Sequence, residues 1–165
     1  MKQKLTHWVM KEHKDLILKG KGKFRHRDRR MREKFEIKPE GFWLSVNGSW
    51  ERWLEGNWDE WLKGKVCLQA ELEGDINLFV IKTKQQFLDK FKELTGKELD
   101  ESSPIRFDYH EFHKKLMEHY DGMMLLSEPF WKHRLDFGFM YFYGWDCESI
   151  CVWNRKKIKF KEVKK

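Results

Sequence analysis

Gly144-Trp145-Asp146-Cys147-Glu148-Ser149-Ile150-Cys151-Val152-Trp153-Asn154 is the stretch on which the reading of the fold turns. Ahead of it, Met140-Tyr141-Phe142-Tyr143 is a dense apolar and aromatic run. Ile150 to Trp153 is a short run of β-type residues, stopped by Asn154 and the basic Arg155-Lys156-Lys157. The stretch therefore reads as an aromatic run, a turn and a buried strand. Asp146 and Glu148 stand at the entrance of that strand, and carboxylates are not core residues. They either cap the turn or face a cleft, and the case for function rests on which is true.

Around this stretch lie 165 residues, enough for one domain with a sizeable core. Nine Trp and thirteen Phe supply large aromatic surface for a core or a site, while 37% of residues are charged and must cover the outside. Thirty-four Lys and Arg against 27 acids leave a net charge of +7, which permits an anionic partner without demanding one. Three cysteines, Cys67, Cys147 and Cys151, are too few for a disulfide scaffold and form no zinc pattern. No leader-like apolar segment opens the chain and no window approaches a membrane span, so the expected location is the cytoplasm.

Outward from the focal stretch, the chain alternates strands and helices irregularly. Leu5 to Met10 reads as a first strand with His7 inside it. Residues 11–34 form a strongly basic segment, in which Lys19, Lys21, Lys23, Arg25, Arg27 and Arg29 keep a strict period of two. Extended, these six share one face and could follow a phosphate backbone; otherwise the segment is a solvated loop, with Gly20 and Gly22 giving it freedom. Phe42 to Val46 is a second strand, ended by the Asn47-Gly48 turn. Ser49 suits a helix N-cap, and Trp50, Trp53, Leu54, Trp58, Trp61 and Leu62 share half of a helical wheel, a stripe that reads as core. Gly56-Asn57 can split this helix in two.

Lys65 to Leu72 is a third strand, and Gly74-Asp75 reads as a hairpin turn that pairs it with a fourth, Ile76 to Lys82. Thr83 with Gln86 has the capping-box pattern, and Phe87, Leu88, Phe91 and Leu94 give an amphipathic helix closed by Gly96. A further helix is expected after Asp108, burying Phe112, Leu116 and Tyr120. His110 and His113 lie on it without the spacing of a zinc helix, so no metal is expected. Met123 to Ser127 and Phe137 to Tyr143 read as strands, and Ile158 to Val163 as a final edge strand or tail. The order argues for an α+β fold with an antiparallel or mixed sheet. No Gly-rich fingerprint marks a P-loop or a Rossmann unit.

Four stretches together carry a family resemblance: Leu5-Thr6-His7-Trp8, Lys38-Pro39-Glu40-Gly41-Phe42-Trp43-Leu44-Ser45, Tyr120-Asp121-Gly122-Met123, and Tyr143 to Ser149. In that order they resemble small phage and bacterial proteins of the ADP-ribosyltransferase superfamily, over roughly residues 5–154. The resemblance implies split β-sheets with flanking helices and NAD in the cleft. It implies that His7 hydrogen-bonds the adenine-side ribose and that the backbone at Trp8 holds the nicotinamide amide. Trp43 or Ser45 would take the second-strand position, and Tyr141 or Tyr143 would stack on the nicotinamide. Glu148 would take the acidic position, with Asp146 as the alternative, since Asp146-Cys147-Glu148 has the form of an acid-x-acid motif.

A carboxylate there would stabilise the positive charge that develops on the ribose as nicotinamide leaves. The expected function is mono-ADP-ribosyl transfer to an intracellular nucleic acid or protein, in the setting of a phage effector or a toxin with an antitoxin partner. The alternatives are a basic nucleic-acid-binding module that stacks bases on exposed aromatics, and a degenerate transferase fold that only binds.

Overall fold

The computed structural model describes residues 3–21, 38–55, 59–99, 109–126, 145 and 147–163. Among these, β1 (Leu5–Met10) runs antiparallel between β2 (Phe42–Val46) and β3 (Lys65–Leu72). Beyond β2 come β6 (Ser149–Val152), β5 (Gly122–Leu125) and β4 (Leu78–Ile81), and β7 (Ile158–Glu162) pairs with β3 at the other edge. All neighbours are antiparallel except β4 and β5. The fold is α+β with a mixed sheet. The described strands form one seven-stranded sheet, where two smaller ones were expected.

The Gly74-Asp75 hairpin is a correction. β4 does not pair with β3; it lies at the opposite edge, parallel to β5. Residues 73–77 nevertheless join the two. In a flat sheet β3 and β4 would stand ~24 Å apart at ordinary strand spacing, and the link reaches only ~20 Å fully extended. The sheet must curl until its two edges approach. Glu73 N–H donates to the Lys157 carbonyl at 2.9 Å, and Lys157 Nζ reaches Asp75 at 2.6 Å, so the link is tied to the start of β7.

The period-two pattern of the strands then sorts side chains to the inside and outside of the curl. Leu5, Phe42, Leu44, Val46, Leu68, Ala70, Met124, Ile150, Val152, Ile158 and Phe160 form the inner cluster. A short helix, α1 (Lys14–Leu18), adds Ile17 to it. The basic segment therefore begins with a docked helix rather than a loop, and residues 22–37 lie outside the described ones. The Arg155 guanidinium donates to the carbonyls of Ile158 and Ile17, at 2.6 and 2.9 Å, and lies over the rings of Phe42 and Phe160.

The outer face divides in two. Over β4, β5 and β6 pack α3 (Lys84–Thr95) and α4 (Tyr109–His119), burying Phe87, Phe91, Phe112 and Leu116 against Phe79, Ile81, Met123, Leu125 and Cys151. The expected capping box forms, with Thr83 and Gln86 exchanging hydrogen bonds and Gly96 closing α3 at φ 70°. Gly122 permits β5 to approach β6: a Cβ there would stand 2.6 Å from the Cys151 carbonyl oxygen. Over β1 and β2, among the described residues, lie α2 (Ser49–Leu54) and the 3-10 turn at Asp59–Leu62 that follows it. The long helix is split as expected, but its Trp stripe is not core. Trp50, Trp53 and Trp61 are half-buried, and of the stripe's described members Leu54 alone is buried. Six residues of helix standing on a polar floor cannot enclose three indoles. Trp58 lies outside the described residues.

Candidate functional site

The site grows from the Asn47-Gly48 turn. Both residues adopt positive φ, 51° and 74°, which Gly tolerates freely and Asn more readily than most. The chain leaving β2 therefore folds straight back, and α2 lies over the strand it came from. The N-cap of the helix is Gly48 rather than Ser49 as expected. The Ser49 hydroxyl instead donates to the Glu148 carbonyl at 2.6 Å, and Ser45 takes over the cap, its Oγ accepting from Trp50 N–H at 3.1 Å.

This fold-back sets Glu51 against the strands. Its carboxylate accepts from Thr6 Oγ1 at 2.8 Å, Trp8 Nε1 at 2.8 Å and Ser45 Oγ at 2.6 Å. Burial pushes the Glu51 carboxyl upward, but bonds from Ser45, Trp8, its own backbone and Thr6 outweigh that and hold it below the usual glutamate value. The result is a fixed negative charge held against the outer face of two strands.

In front of it opens a cavity of about 260 Å³, lined by Thr6, Trp8, Trp43, Ser45, Trp50 and Trp61, with Lys38, His7, Leu44 and Ser149 completing the wall. Trp50 and Trp61 meet edge to face at 5.3 Å, and Trp43 meets Trp145 at 4.5 Å. Lys38 Nζ stands 4.9 Å from the Trp43 ring and Lys65 Nζ 2.8 Å from the Trp61 ring. Burial lowers the Lys65 pKa.

The residues picked from sequence fall in different places. Trp8, Trp43 and Ser45 meet at this cavity. His7 forms part of its wall, yet the imidazole packs on Phe42 and Phe160 of the inner cluster, and Nδ1–H donates to the Trp43 carbonyl at 2.9 Å. Burial lowers the His7 pKa more than that bond raises it, which keeps the ring neutral. Glu148 is half-buried and does not line the cavity, although its neighbour Ser149 does. Lys19 and Lys21 are exposed just past α1. Asp146, Tyr141, Tyr143, Lys23, Arg25, Arg27 and Arg29 lie outside the described residues. Sequence reasoning missed Glu51 and the pocket role of Trp50 and Trp61. The available signal was an acid three residues past the Asn-Gly reversal that ends a strand carrying Ser45.

Among the described residues no group of three or more His, Cys, Asp and Glu is placed to hold a metal ion, and no helix is long and apolar enough to cross a membrane. No family model, curated protein or solved structure matches this chain.

Proposed function

We infer that the protein is an NAD-dependent mono-ADP-ribosyltransferase that modifies a macromolecule. One observation carries the reading. The strands that the four quoted stretches form or lead into, β1, β2, β5 and β6, lie side by side, and Trp8, Trp43 and Ser45 from two of them line one cavity whose wall Ser149 of β6 completes. The volume falls just below the range of pockets that take whole ligands, so it suits the nicotinamide end of NAD, with the remainder lying outside. Indole walls suit a flat ring and exclude water.

In the reaction the bond between the nicotinamide nitrogen and the ribose carbon breaks, and nicotinamide leaves with the electron pair. An acceptor nucleophile bonds to that carbon and gives up its proton. Glu148, adjoining the wall, stabilises the charge on the ribose; Asp146 is the alternative acid. The resemblance gives His7 the adenine-side ribose; here it lies on the cavity wall with its ring packed on the inner cluster. Lys19 and Lys21, with the basic residues that follow them, would hold a nucleic acid acceptor through its phosphates; a protein acceptor is the other outcome. The setting implied by the resemblance is a phage effector or toxin with an antitoxin partner.

The test is incubation of the protein with labelled NAD and host lysate, then separation of protein from nucleic acid. Retained label, lost in Glu148→Gln, supports the transferase and names the acceptor class. No label and no released nicotinamide would overturn it.

A further inference from the structure

The geometry points to a flat organic cation, an N-alkylated pyridinium ring, as the ligand of the Trp-walled pocket, with Glu51 as its fixed counter-charge. The argument starts from where the protons of the pocket's polar groups go. Thr6 and Ser45 donate their hydroxyl protons to Glu51, and Ser149 donates its own to the Cys147 carbonyl at 3.0 Å. The Trp8 indole N–H is also given to Glu51. Each of these hydroxyls has therefore given its proton away and meets a ligand with oxygen lone pairs, Ser45 with the one that Trp50 N–H leaves it, and Trp8 meets it with its ring. The floor is built of acceptors, with a carboxylate one hydrogen bond behind it.

The walls carry the same sign. Trp8, Trp43, Trp50 and Trp61 present π-faces, whose quadrupole attracts cations. The protein's own ammonium groups already use two of the four, Lys38 on Trp43 and Lys65 on Trp61. A neutral ring would gain stacking alone. An anionic ring would meet the hydroxyl lone pairs and the Glu51 charge. A flat cation gains stacking and the field together. Lys38, on the wall, is placed to meet an anionic tail on such a ligand. The inference uses the pocket of the transferase reading and adds its charge preference, through a residue to which that reading gave no role.

The test titrates the intact chain with three forms of one ring: 1-methylnicotinamide, a cation; nicotinamide, neutral; and nicotinate, an anion. Trp fluorescence reports binding. The expected order is cation, neutral, anion, with roughly tenfold between the first two, the size that cation–π contact implies. Glu51→Gln, checked for folding by circular dichroism, should shrink that gap, with a larger loss of affinity for the cation than for nicotinamide. Equal affinities, a reversed order, or no response to the cation at millimolar concentration would overturn the inference on the wild-type protein alone. An unchanged gap in folded Glu51→Gln would remove Glu51 from it. The two readings fail separately: a correct charge order without label transfer leaves this inference standing, and transfer with a reversed order overturns only this one.

Discussion

The two halves of the outer face are built on the same sheet and do opposite things. Over β4, β5 and β6, α3 and α4 bring three Phe rings and Leu116 to essentially zero exposure. Over β1 and β2, the short α2 brings half-buried indoles over Thr6 and Ser45, and the chain spends its hydrogen bonds on one carboxylate. Helix length and strand residues together decide the outcome. Apolar outward positions under twelve- and eleven-residue helices make a core. Hydroxyl outward positions under a six-residue helix make a cavity. The first half stabilises the fold, and the second leaves aromatic surface available to a ligand.

The comparison breaks first on stability. Phe112 is fully buried, its ring 5.5 Å from that of Phe87 and 5.2 Å from that of Phe91. Phe112→Ala should cost about 3–5 kcal/mol, the loss typical of an emptied aromatic site. Trp61→Ala, on the half-buried wall, should cost about 1 kcal/mol. Urea unfolding of both variants measures the difference. Equal losses would mean that the indoles are core after all.

Acid sharpens it next. Burial, with a contribution from His110, pushes the His113 pKa down to about 3, and burial lowers that of His7. Both rings are neutral in folded and unfolded chains above the ordinary value of 6.5. As pH falls below that value the unfolded chain takes up protons first, so stability drops from 6.5 down to the folded values. Glu51 behaves otherwise. Its stabilising contribution is complete above the ordinary 4.5 and is lost only as pH falls further, through its lower folded pKa. Between pH 6 and 5, loss of stability should therefore come from α4 and the inner cluster, not from the pocket. Melting temperatures at pH 7, 6, 5 and 4 check this, and His113→Leu should flatten the upper part of the profile. A wild-type curve level to pH 5 would contradict it.

Much of this fold was legible because its signals are local. The strand at Leu5–Met10, the capping box at Thr83 and the Gly96 stop each depend on a few adjacent residues. The pairing of β4 was not legible. Gly74-Asp75 looks like a hairpin turn, and only the curl of the whole sheet takes the chain to the other edge. The Trp stripe misled for a related reason. Its periodicity is correct for a helix, but whether a face is covered depends on what lies beneath it, and Ser45 and Thr6 were not read as its floor. Glu51 stayed hidden because three donors from two strands define it, and no spacing in sequence displays them.

The smallest expected effect tests the link between the pocket and the acid. Ser49, the first residue of α2, donates to the Glu148 carbonyl at 2.6 Å, and Val46 N–H reaches the same oxygen at 3.4 Å. Ser49→Ala leaves that carbonyl with the longer bond alone, so the stability cost should be modest, about 1 kcal/mol. If Glu148 acts on the ribose, the loosened backbone should lower kcat for transfer more than it raises KM, because the nicotinamide pocket keeps its walls while the acid loses its anchor. Ser49→Thr, which keeps the hydroxyl, should restore most of the rate. A stability loss with kcat unchanged would make the Ser49 bond purely structural. The helix over the pocket would then shape the cavity without holding the acid, and the division between a stabilising and a working half would stop at the Trp walls.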